Sequence, residues 1–222
     1  MAYPNRDSFV KMKITLDVFE AYLKCSTKCW LRATNEPSAG GIYPEWVKAQ
    51  NDSYRVSETQ RLVTEFPNNE VALSPDMKNL KAAKWRLACN LAVQAQMDSC
   101  TLESELHALE RVPAEGRIKP TQFIRFVFTN KLSKDDKLLL AFDASALSKS
   151  LGREVRIGRI VHGDEQTTLK VKTSAMSSEV RKRVRKNLHA VVQSWVARSR
   201  VEPALPRVRI SSSLPTQGGR KG

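Results

Sequence analysis

The sequence predicts an α/β fold, with a central mixed sheet of about five strands flanked by helices. Three observations predict it. Residues 85–97 alternate strictly, with Trp85, Leu87, Cys89, Leu91, Val93, Ala95 and Met97 on one side. Arg86, Ala88, Asn90, Ala92, Gln94 and Gln96 occupy the other, which is the period of a long strand with one buried face. A stretch dense in Leu and Ala from Lys137 to Lys149 is apolar on most sides and reads as a buried helix. That helix separates three strand-like segments from two later ones, so it serves as a crossover between parts of one sheet.

The elements follow in order. Thr15 suits an N-cap and Asp17 the first turn of a helix from about Leu16 to Lys24, with Phe19, Tyr22 and Leu23 on one face. A second short helical piece around Lys28 to Ala33 carries Trp30 and Leu31. Asn35 to Gly41 is a loop by composition, and Pro44 suits the first turn of a helix over roughly Glu45 to Thr64. Its polar content, including Lys48, Asn51, Arg55 and Glu58, marks a surface helix. After the 85–97 strand, a turn at Asp98-Ser99 leads into a strand from about Leu102 to Val112. The Pro113 to Arg117 segment breaks the pattern, and Gln122 to Phe128 completes a meander. Ser133 caps the buried helix, with Asp135 and Asp136 in its first turn and its end near Gly152. Val155 to Val161 and Thr168 to Lys172 are strands around a turn at His162-Gly163-Asp164, and Glu179 to about Arg198 is the last helix. Residues 1–200 then make one domain. Residues 201–222, rich in Pro, Ser, Gly and Arg, are expected to be a disordered basic tail.

Composition narrows the partners. Against 23 Asp and Glu stand 37 Lys and Arg in 222 residues, a net charge of +14. A field of that sign attracts polyanions, DNA or RNA first, although ribosomal, tRNA and membrane-surface partners fit the same field. No apolar run reaches the roughly 18 to 20 residues that span a bilayer, so no membrane segment is expected. Met1 to Lys13 lacks the apolar core of a secretory signal. The four cysteines include no CxxC pair, and no His lies near Cys25 and Cys29, which reads as reducing cytosol rather than a disulfide scaffold or zinc site.

Three blocks carry a resemblance. Phe19-Glu-Ala-Tyr-Leu-Lys-Cys-Ser-Thr-Lys-Cys-Trp-Leu31, Lys131-Leu-Ser-Lys-Asp-Asp-Lys-Leu-Leu-Leu-Ala-Phe142 and Gly158-Arg-Ile-Val-His-Gly163, the last followed by Thr168 to Lys172, stand in that order. They resemble a RecB-like nuclease family of the PD-(D/E)XK superfamily, related to the CRISPR-associated RecB-like nucleases. The resemblance implies a restriction-endonuclease-like core and metal-dependent cutting of DNA. The superfamily uses an Asp and a following Glu-x-Lys to hold a divalent metal, Mg²⁺ or Mn²⁺, and to activate water. By alignment, His107 stands where the Asp is expected, Gln122 where the Glu is expected and Ile124 where the Lys is expected. No Asp or Glu occurs from Thr121 to Phe128, so a different gap does not restore the motif. His107 reads either as a site residue or as a satisfied sheet histidine. Glu103, Glu105 and Glu110 read either as substitute carboxylates or as plain surface.

Related nucleases also hold an iron–sulfur cluster with one early Cys and three late ones. Cys25 matches the early metal ligand, but no Cys follows Cys100, so an intact cluster is not expected in this chain. The stretch after the last helix departs from the family, and a truncated or frameshifted derivative of a longer protein with further domains is expected.

Arg181-Lys-Arg-Val-Arg-Lys186 is the densest charge run. On a helix, Arg181 with Arg185 and Lys182 with Lys186 are i, i+4 pairs that repel unless an anion lies against them. The run, Arg183 included, reads either as phosphate-backbone contact or as a solvated cationic face. Apolar residues from Val180 to Val196 form the opposite stripe. Two functions compete: a degenerate nuclease fold that binds DNA, single- or double-stranded, and an active metal-dependent nuclease with a rearranged site. A nonfunctional remnant makes no demand on these residues.

Overall fold

The computed structural model describes residues 12–36, 41–77, 84–111 and 121–187. The first described element, strand β1 (Met12–Thr15), passes directly into helix α1 (Leu16–Lys24). Thr15 makes that change of direction local, since its Oγ1 accepts the Val18 N–H at 3.3 Å. Helix α2 (Ser26–Ala33) starts two residues before the expected position, and α3 (Ile42–Thr64) starts three before, with Pro44 in its first turn. A short 3-10 turn leads to β2 (Val71–Leu73).

Strands β3 (Leu87–Met97), β4 (Cys100–Arg111) and β5 (Thr121–Val127) form the antiparallel meander. Helix α4 (Lys134–Leu151) then carries the chain to β6 (Ile157–His162), which lies parallel to β5, and β7 (Thr167–Lys172) turns back beside it. A 3-10 segment, Thr173–Met176, leads into α5, helical over the described residues 177–187. Val112, the 113–117 breaker, the remainder of the last helix and the 201–222 tail lie outside the described residues.

The sheet order is β2-β3-β4-β5-β6-β7, with β1 parallel to β4. This is the expected mixed sheet flanked by helices, compatible with a restriction-endonuclease-like core, but with seven strands instead of about five. The two additions, Met-Lys-Ile-Thr and Val-Ala-Leu, are too short to show a period. Strand β4 shares one edge between two partners: β1 covers residues 100–103 and β5 covers 108–111.

Two apolar layers sandwich the sheet. Against one face pack Phe19 of α1, Cys29 and Trp30 of α2, most of α4, and Val180 and Val184 of α5. Phe19 stacks on Phe142 of α4 with ring centroids 4.8 Å apart. Against the other face lies α3, whose Leu62 meets Leu87, Cys89, Ala108, Ile124, Phe126 and Val161. As a surface helix, α3 fully buries only Leu62 and Glu58, and Arg61 holds the Glu58 carboxylate at 2.9 Å.

The 85–97 alternation does not define one buried face. Leu87 and Cys89 join the α3 layer, whereas Leu91, Val93 and Met97 join the α4 layer, and Ala88 is fully buried with the latter. Asn90 causes the switch by adopting a left-handed φ of 53°, a conformation Asn tolerates. The flanking register, Cys89↔Ala108 and Leu91↔Leu106, places His107 opposite it, and β4 changes sides there too. A one-residue change of phase exchanges the two faces of a strand.

Helix α4 is positioned at both ends. Ser133 and Asp136 form a reciprocal capping box, and Gly152 closes the helix with φ 66°. Its buried Asp143 reaches Ser104 Oγ at 2.5 Å and Arg125 at 3.0 Å, bolting α4 to β4 and β5. Gly158 is required where β6 passes β5, since a Cβ there would lie 2.6 Å from the Phe123 ring. Among the described residues, no helix is long and apolar enough to cross a membrane.

Candidate nucleic-acid interface

Two groups of residues compete as the functional site, and the fold separates them. The first surrounds the position where the nuclease motif is expected. The backbone ladder between β4 and β5 runs from Arg111↔Thr121 to Ala108↔Ile124 and stops. At the next position the His107 side chain replaces it: Nδ1 accepts the Phe126 N–H at 3.0 Å. The ring is therefore neutral with its proton on Nε2. Burial holds its pKa well below the ordinary 6.5, and the nearby guanidinium groups of Arg125 and Arg55 push the same way.

Gln122 lies opposite Glu110, on the α3 face of the sheet together with Ile124 and Phe126. The Glu110 carboxylate is bound by Arg159 of β6. Ile124 is 2% exposed and packs in the α3 layer. Glu105 is bound by Arg55 of α3, which also reaches Asn90 at 2.7 Å. Glu103 is bound by Lys13 of β1 at 2.8 Å. Each carboxylate that the sequence offered as a substitute is thus engaged by a cation from another element. The residues present do not fit a hard divalent cation: the His107 lone pair is occupied, the carboxylates are paired, and no group of three or more His, Cys, Asp or Glu clusters among the described residues.

Cys25 is exposed at the junction of α1 and α2, where the N–H groups of Lys28 and Thr27 draw its thiol pKa below the ordinary 9.0. The other three cysteines are buried, and burial pushes each thiol up to about 11. Cys29 has a structural partner, donating to Asn187 Oδ1 at 3.0 Å and so holding α5 against α2.

The second group is α5. Val180, Val184 and Asn187 are buried, which turns Arg181, Lys182, Arg185 and Lys186 outward as a single cationic face. Arg183 falls between the two faces and bonds Glu179 at 2.7 Å. Arg185 bonds Asp98 in the β3–β4 turn at 2.9 Å, and that contact lowers the Asp98 pKa. Between α5 and α4 runs a cleft of about 620 Å³, lined by the four outward cations, by Ser145, Ser148 and Lys149 of α4, and by Ser174, Ser177 and Ser178. Sequence reasoning found the α5 wall and missed the α4 wall. The i, i+3 pair Ser145 and Ser148, interrupting an otherwise apolar helix, was the available signal.

The two groups face opposite ways. Met97, Ala144 and Val155 line the cleft on the α4 side, whereas Gln122 and Glu110 lie on the α3 side. The α5 cations thus stand on the other side of the sheet from Gln122.

No protein-family model matches the chain, and no curated protein matches it in sequence. Among solved structures, the crystal structure of a "Putative exonuclease" from Eubacterium rectale is similar to 99% of this chain and 97% of its own, with a TM-score of 0.51 and 10% identity. The crystal structure of SSO0001 is similar over 82% of this chain and 79% of its own, with a TM-score of 0.44 and 8% identity. The likeness to the first shows a shared α/β fold.

Proposed function

We propose that this chain is a DNA-binding domain of RecB-like nuclease fold that has lost its metal-dependent chemistry. The observation that carries the reading is the separation just described. At the expected catalytic positions the His107 lone pair is taken by the Phe126 N–H and Ile124 is buried in the α3 layer, while an exposed row of cations stands on the α4 side of the sheet. Such a row binds phosphates without reading bases, so affinity depends on salt and little on sequence.

The test incubates the purified chain with labelled single- and double-stranded DNA in Mg²⁺, Mn²⁺ or EDTA, and runs the samples on native gels over a salt series. Retardation that weakens with salt is expected, with no metal-dependent shortening. Replacing Arg181 and Lys182 by Gln lowers affinity for all sequences and flattens the log–log salt slope by about two. Metal-dependent cutting abolished by His107→Ala would instead establish a nuclease with a rearranged site. Absence of binding at low salt sinks the reading altogether.

A further inference from the structure

We infer that the cleft between α4 and α5 seats a phosphomonoester, the group at the end of a nucleic-acid strand or on a free nucleotide. The inference rests on the DNA-binding reading and deepens it, from contact along a backbone to recognition of a terminus.

Shape is the first argument. A strand passing over a helix needs no recess, whereas the cleft's volume of about 620 Å³ lies in the range of small-ligand sites. Charge is the second. Lys149 on one wall faces Arg181 and Lys182 on the other. No carboxylate is ion-paired to any of the three among the described residues, and the acidic groups that feel them, Asp98 and Glu179, are already bonded to Arg185 and Arg183. Glu154, the one carboxylate among the described residues of the wall, is bound to Arg156 at 2.8 Å. Like charges brought together from two elements repel unless an anion lies between them.

Hydroxyl chemistry is the third argument. Ser148 Oγ accepts the Val155 N–H at 2.9 Å, which leaves its own proton free to donate. The Ser174 and Ser178 hydroxyls have no hydrogen-bond partner among the described residues. A diester within a strand offers one charge and two non-bridging oxygens, whereas a monoester offers close to two charges and three acceptor oxygens. Cations from two walls, with hydroxyl donors between them, suit the latter.

The experiment measures fluorescence anisotropy with one single-stranded oligonucleotide carrying a 5′-phosphate, a 3′-phosphate or hydroxyls at both ends, with adenosine monophosphate and inorganic phosphate as competitors. A phosphorylated end is expected to tighten binding by about tenfold. Lys149→Gln removes that increment, weakening the phosphorylated strands more than the hydroxyl-ended one. Lys170→Gln, which deletes one exposed charge on β7, preserves the increment. Melting curves of both variants confirm that they fold. Preference for one phosphorylated end identifies a strand terminus. Competition by the nucleotide without such a preference identifies a free nucleotide. Equal affinity for all three oligonucleotides with no effect of either competitor overturns the inference while DNA binding stands, and binding to none overturns both.

Discussion

His107 Nδ1 accepts the Phe126 N–H at 3.0 Å, so an imidazole continues a ladder whose backbone bonds end at Ala108 and Ile124. The folded ring is neutral far below its ordinary 6.5, whereas the unfolded ring protonates near 6.5. Between those values the unfolded chain binds the additional proton. The contribution to stability is therefore complete above pH 6.5 and is lost on acidification, by up to about 1.4 kcal/mol per pH unit. Urea unfolding at about pH 7.5 and about pH 5.5 measures the loss. His107→Gln, which cannot protonate, is expected to reduce it. His107→Leu leaves the Phe126 N–H without an acceptor and costs about 1–3 kcal/mol at neutral pH.

Asp143 is 2% exposed, with Ser104 and Arg125 on its two oxygens. Burial raises its pKa, opposed by the attraction of Arg125. Asp143→Ala strands the Arg125 guanidinium in the α4 layer and is expected to cost about 3–5 kcal/mol. An Asp143→Leu, Arg125→Met double variant removes both charges and recovers most of that loss. Thermal unfolding of Asp143→Leu, Arg125→Met and the double variant gives the coupling directly.

Restoring Glu-x-Lys by Gln122→Glu and Ile124→Lys is expected not to create a nuclease. Ile124 packs with Leu62, Ala108 and Phe126, so a Lys ammonium there must be desolvated or deprotonated. The Ile124 change alone is expected to destabilise the fold by about 2 kcal/mol or more. A melting scan measures this, and a Mg²⁺ cleavage assay of the double variant decides the functional part.

Thiol modification is expected to separate Cys25 from the rest. It is exposed with a lowered pKa, while Cys29, Cys89 and Cys100 are buried with thiols near 11. Native protein should show one fast-reacting thiol at neutral pH, the other three reacting only on unfolding. Cys25→Ser should eliminate the fast phase, and rapid reaction of two thiols would contradict the assignment.

Legibility in the sequence followed the range of the interactions. Helices α1 and α4 were readable because Thr15 and Ser133 act on residues three positions away. The tetrapeptide β1 and tripeptide β2 carry too few residues for a period, and only β4 and β3 give them a place. The Asn90 switch was hidden by Ala88 and Ala92, small enough to suit either face while the letters kept alternating. For His107 the sequence left two readings, and the deciding partner lies 19 residues away across a register that no local pattern fixes. The cationic half of the cleft was legible as a charge run. Its serine half was not, because α4 and α5 meet only in the folded chain.

The change of sides at Asn90 and His107 makes a single hairpin a structural member of both hydrophobic layers. Its near half is gripped under α3 and its far half under α4, so loosening either layer releases strands that the other requires. The two layers are consequently one cooperative unit: a lesion planted beneath α3 should be felt beneath α4, and neither should melt alone.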